Sequence, residues 1–209
     1  MTSTTTDTID LLAGIQAGSL LDRLRAQRPE TRLNAQKSYE ALFAPEQAGD
    51  VTPLERFAIA AFVAGLHAEA GAGLFYASRL KEQIGGAALA AVIDGEVEHG
   101  RTNGPYGHYP VGPLSREDRP GLIYRVSDEQ RGVLGSKLTA ALEHSHFLVF
   151  RPREANALAL KALLDAGWTT TGIVTLSQIV AFLAFQIRVV TGLKALAENA
   201  AHVAQTASA

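Results

Sequence analysis

The chain has 209 residues, 47% of them hydrophobic and 19% charged, with a formal net charge of -2 at pH 7. That balance suits a folded domain with a sizeable core, and the lack of a basic excess argues against nucleic acid or an anionic membrane as partner. There is no cysteine, which excludes disulfides, thiol nucleophiles, thiolate zinc sites and iron–sulfur clusters together and fits a cytoplasmic protein.

The polar, Thr-rich residues 1–6 and the two aspartates that follow, Asp7 and Asp10, lack the basic region of a secretory signal. Residues 8–27 and 31–43 read as two amphipathic helices separated near Arg28-Pro29. Thr52-Pro53-Leu54-Glu55 is a capping box with proline at the first helical position, opening a helix that runs through Phe57–Leu66. Residues 86–99 give another helix. Ser127-Asp128-Glu129-Gln130 is a second box, for a helix reaching about Glu143. A further helix over 154–166 is stopped by Gly167.

From Thr169 the pattern restarts. Apolar residues at 173, 176, 180, 183, 187 and 190 step by 3, 4, 3, 4, 3, a seam of helical period, and a second row at 179, 182, 189, 193 and 196 widens it. Residues 173–190 are also the best transmembrane candidate. Ser177, Gln178, Gln186 and Arg188 interrupt them, so a buried core helix is expected rather than a span. Residues 200–209 read as a fraying helix end or disorder. Tyr124–Val126 and His146–Phe150 are the weak strand candidates. The expected fold class is all-α, about eight helices in one domain spanning 1–209. A helical half at 7–100 and another at 127–200 flank a loop that holds four of the eight prolines and five glycines over Gly100–Val126.

Residues 136–196 carry Leu138-Thr139, then Leu164–Gly167, then Thr169, then Phe185 and Arg188 in an apolar helix. In that arrangement they resemble the C-terminal part of the alkylhydroperoxidase D-like / carboxymuconolactone decarboxylase (CMD) family. The block 53–80 is placed like that family's signature helix pair, and "GPYGHYPVGPLSREDRPG" looks like a CMD-domain subgroup. The resemblance covers about half the chain. It implies an AhpD-like helical bundle that forms homo-oligomers. In the redox branch it also implies a C-x-x-C dithiol followed by a histidine. Those cysteines would fall near Glu69 and Ala72 and the histidine near Tyr76, yet the chain has no cysteine and its one methionine is Met1. Dithiol peroxidase chemistry needs a thiolate and a resolving thiol, so it does not transfer. The cysteine-free acid/base chemistry of the decarboxylase branch stays open. The expected role is a non-redox enzyme or binding protein acting on a small organic molecule, with no cofactor. The alternative is a structural or assembly partner of a cysteine-containing hydroperoxidase paralogue.

Candidate chemistry gathers first at "GLHAEAGAGLFYASRL", residues 65–80. His67, Glu69 and Tyr76 share one pocket only if the helix breaks near Ala68–Gly73; the competing reading is a tight helix crossing made by small residues. His144-Ser145-His146 can offer two imidazoles to a metal if extended, but the rings diverge by about 200° on a helix, and helix-end histidines bonded to terminal carbonyls are the favoured reading. Glu96, Glu98, His99 and Arg101 read as a solvated helix end. Tyr106, His108 and Tyr109 give the long loop the look of a lid, or of a packing loop. Arg188, inside the apolar last helix, either reaches solvent along its stem, pairs with a buried carboxylate or binds an anionic ligand; a carboxylate leads, with Glu55 as the expected partner.

Overall fold

The structure, a computed structural model, describes the backbone of residues 7–206 and the side chains of 7–200; the Thr-rich residues 1–6 lie outside the described residues. It is all-α, with nine α-helices and no strand among the described residues. Neither weak strand candidate is a strand: Tyr124–Val126 is irregular and His146–Phe150 belongs to a helix.

The expected helix over 8–27 is two, α1 (Thr8–Ala13) and α2 (Leu20–Ala26). Gly14 and Gly18 take φ of 67° and 76°, a conformation that ends a helix and that few other residues accept. Asp7 caps α1 and Ser19 caps α2, each accepting a backbone N–H three residues on. α3 (Pro29–Phe43) starts with proline at its first position. Arg25 and Arg32 tie these helices together. Arg25 meets Asp7 at 2.8 Å, Arg32 meets Asp22 at 3.1 Å, and both meet Asp10.

α4 (Pro53–Leu66) is the central element. Its capping box is formed as the sequence indicates: Glu55 N–H donates to Thr52 Oγ1 at 3.2 Å and Thr52 N–H to Glu55 Oε2 at 2.7 Å. Every residue from Arg56 to Ala64 is buried, so the helix is covered on all sides. It packs against α5 (Ala70–Lys81), α6 (Gly86–Gly100), α7 (Asp128–Phe150) and α9 (Thr170–Thr206). Large members such as Phe62 and Ile59 each stabilise the fold by about 1.5–3 kcal/mol through burial. Gly65 makes the α4–α6 crossing possible, since a Cβ there would meet Val97 at 2.6 Å.

α7 starts where expected but runs to Phe150, with a break at Gly135, where φ is 69° and ψ 171°. Ser127 does not cap it; its hydroxyl is bonded to Glu96 instead. α8 (Ala157–Asp165) is capped by Asn156, and Gly167 follows it at φ 97°. α9 carries the expected seam: Ile173, Leu176, Val180, Leu183, Ile187 and Val190 are all buried. It packs on α1, α3 and α4 as well as α7 and α8, so the N- and C-terminal helical halves share one core. By length and apolarity Thr170–Ala200 would suffice to cross a membrane, and half of its most apolar window is buried in the fold.

Candidate functional site

The chain turns sharply after α4. His67 is the C-cap, Ala68 adopts φ 55°, and Glu69 opens α5. Holding a non-glycine residue in the left-handed region costs about 1 kcal/mol. The turn therefore supplies the helix break required by the one-pocket reading, but it sends the three side chains to three places.

Glu69 accepts the Ala72 N–H at 2.6 Å and the Lys194 ammonium of α9 at 2.6 Å. Burial pushes its carboxyl up, and Lys194 with the Ala72 N–H more than offsets this, leaving it below the usual carboxylate range. It lines a trough of about 440 Å³ between α5 and α6, floored by Ala61, Ala64 and Gly65. Tyr76 is fully buried and donates its hydroxyl to Gln186 Oε1 at 2.6 Å. Phe43 and Phe75 stand 5.3 and 5.0 Å from its ring, and burial raises the phenol well above its ordinary value. It is a core residue bound to a buried amide and has no exposed surface.

His67 lines a different cleft, of about 510 Å³, between α4, α7, α9 and the long loop. Pro105, Leu148, Phe150, Val180 and Ala184 give it apolar walls, and Ser177 and Arg188 add polar edges. The His67 Nε2 is sealed from solvent and has no hydrogen-bond partner among the described residues. Burial, then the nearby Arg188 guanidinium, lower the imidazole's pKa, so it is neutral at pH 7. Arg188 is exposed and, among the described residues, donates only to the Ala184 carbonyl of its own helix, at 3.1 Å. The expected Glu55–Arg188 pair does not form. Glu55 meets Lys137 at 2.7 Å instead, because α7 and not the middle of α9 passes the start of α4. The buried arginine of this fold is Arg56, whose guanidinium donates to the carbonyls of Leu42, Ala48 and Val51 at 2.7, 2.8 and 3.0 Å.

The loop over 101–126 reaches the His67 cleft through Gly104 and Pro105, not through its aromatic residues. Tyr106 is buried, with its ring parallel to Phe150 at 6.0 Å, its N–H donating to Phe150 O and its hydroxyl to Leu122 O. His108 is exposed, 3.2 Å from Asp118 through Nδ1, while its N–H donates to Glu154. Bonds between Gly107 and Arg119 tie the two limbs of the loop together, so it is a fixed wall.

His144 and His146 lie on α7, so the extended form that would bring their rings together is not adopted. His146 Nε2 bonds Gly100 O at 2.9 Å and its ring stacks on Tyr124 at 4.7 Å. Burial lowers its pKa to about 4. His144 lines a separate pocket of about 370 Å³ beside Glu143, Arg151 and Glu154, and burial lowers its pKa too. No group of three or more His, Asp or Glu among the described residues is placed to hold a metal ion.

Two residues escaped the sequence reading. Gln186 falls on the buried side of α9, a register that its neighbours Leu183 and Ile187 mark. Glu96, expected on a solvated face, is 1% exposed. It accepts Tyr124 Oη–H at 2.6 Å and the Ser127 hydroxyl, fastening the end of the long loop to α6. His99 stands 3.9 Å away at the surface.

Chemically, the His67 cleft holds a neutral imidazole able to take or give a proton and, at its rim, a guanidinium free to meet negative charge. The His144 pocket also joins an imidazole to guanidiniums, but there Arg125 and Arg151 are already paired with Glu143 and Glu154. No family model, curated protein or solved structure matches the chain.

Proposed function

We propose that the chain is an AhpD-like, CMD-related helical protein without dithiol chemistry, and that it binds a small organic molecule in the His67 cleft as a non-redox enzyme or binding protein. The observation that carries this is the unpaired, buried His67 Nε2 in the wall of an apolar cleft of about 510 Å³. A buried polar atom without a partner costs about 1–3 kcal/mol, and a ligand that parts the cleft wall to reach Nε2 offers it one. If the molecule is turned over, His67 is the acid/base group and Arg188 stabilises negative charge. Peroxidase activity is the reading least supported, since Glu69 and Ala72, where the resemblance would place thiols, instead form the capping hydrogen bond of α5.

The test is a screen of small organic acids, lactones, esters and carbonyl compounds for turnover or saturable binding. His67→Ala is expected to abolish either while circular dichroism stays unchanged. A wild-type activity that His67→Ala retains removes His67 from the proposal.

The second reading, an assembly protein, is favoured by the broad apolar exposure of α9, where Val174, Phe185 and Leu196 are 52%, 42% and 44% exposed. Under it the chain associates with copies of itself or with a cysteine-containing paralogue. A sedimentation experiment showing only monomer, alone and with such a paralogue, removes it.

A further inference from the structure

α9 is 37 residues long, and one side of it is left exposed over residues 174–192. The exposed positions Val174, Gln178, Ala181, Phe185, Arg188 and Gly192 step by 4, 3, 4, 3, 4. That is a second seam with the 3.5-residue period of paired helices, about 150° around the helix from the buried one.

The seam is its own complement when turned end for end about residue 183. An antiparallel copy sets Val174 against Gly192, Gln178 against Arg188 and Ala181 against Phe185. Each large side chain then meets a small one, and the only charge meets an amide oxygen that accepts from it; no like charges oppose. The seam runs about 27 Å at 1.5 Å per residue. Leu160 and Leu164 of α8, 45% and 48% exposed, continue its apolar area beside Val174.

We propose that two copies of this chain pair through this face of α9, antiparallel about a two-fold axis at residue 183. This deepens the self-association reading above and does not depend on the ligand reading. Its occupant is a second copy rather than lipid, because Gln178 and Arg188 sit mid-stripe, where a bilayer would penalise them and a copy satisfies both. Ala181, Ala184 and Arg188 also border the His67 cleft, so the partner's helix runs along its mouth.

The test is sedimentation equilibrium of the full chain, with circular dichroism to check folding. Gln178→Lys places a cation against the partner's Arg188 and is expected to weaken the dimer at least about tenfold. The double variant Gln178→Lys/Arg188→Glu is expected to restore it, because positions 178 and 188 meet only between copies. A dimer indifferent to Gln178→Lys and to Ala181→Glu overturns the seam while leaving self-association intact. A monomer at about 100 μM, well above a useful dissociation constant, overturns both. Association with neutral phosphatidylcholine vesicles in place of dimerisation overturns the choice of occupant.

Discussion

Tyr76 and Gln186, 110 residues apart, meet in the core through a 2.6 Å bond from the phenol to the amide oxygen, while the amide nitrogen of Gln186 has no partner. The bond joins α5 to α9 and explains why a polar residue stands in an otherwise apolar helix side. Tyr76→Phe removes the one partner of a buried amide and is expected to cost about 1–3 kcal/mol. Adding Gln186→Leu recovers much of that, since both polar groups are then gone. Urea unfolding of the four-member cycle checks this, and purely additive losses would show that the two groups do not depend on each other.

Acid is expected to weaken the fold through its histidines. His146 is held down to about pH 4 by burial, while an unfolded histidine titrates near 6.5. Between those values the unfolded chain binds a proton that the folded chain does not, so stability falls as pH drops from about 6.5 to 4, by about 3 kcal/mol from this group. His67 and His144, both also lowered, act in the same direction. In His146→Phe the unfolding free energy measured between pH 7 and 4 should be flatter than in wild type; an equal slope would mean that other groups govern it.

Glu96 holds both Tyr124 and Ser127. Glu96→Ala is expected to cost about 2 kcal/mol or more through unpaired buried groups and to speed amide exchange across 101–126. Exchange that rises equally in α4 would point to global destabilisation instead of a released loop.

Arg56 donates to three carbonyls of the turn between α3 and α4. Arg56→Met leaves all three acceptors without it and should lower stability by about 3 kcal/mol, with Arg56→Lys losing less. Thermal unfolding decides, and a neutral Arg56→Met would mean that water replaces the guanidinium at no cost.

Local signals in the sequence were legible where one rule acted alone. The Thr52–Glu55 box, the Gly167 stop and the buried seam of α9 are each set by neighbours in sequence, and all three stand as read. Pairings across the fold were not legible. Nothing near Arg188 in sequence reveals that Lys137 takes Glu55, or that the deep arginine is Arg56, satisfied by carbonyls alone. Glu96 looked solvated because its neighbours Glu98 and Arg101 are; only the return of the chain at Tyr124 covers it. The turn at Ala68 separates His67, Glu69 and Tyr76 because a left-handed residue redirects α5, and no spacing rule anticipates that at an alanine.

The most direct test of the His67 cleft is the imidazole signal of His67, followed by nitrogen-15 NMR at pH 7 while small organic compounds are added. A neutral ring is expected, with a saturable shift for the compound that the protein binds or converts, and none in the imidazoles of His144 and His146 outside the cleft. A bound compound that leaves the His67 signal unmoved, or a ring already protonated at pH 7, would contradict the assignment of the site.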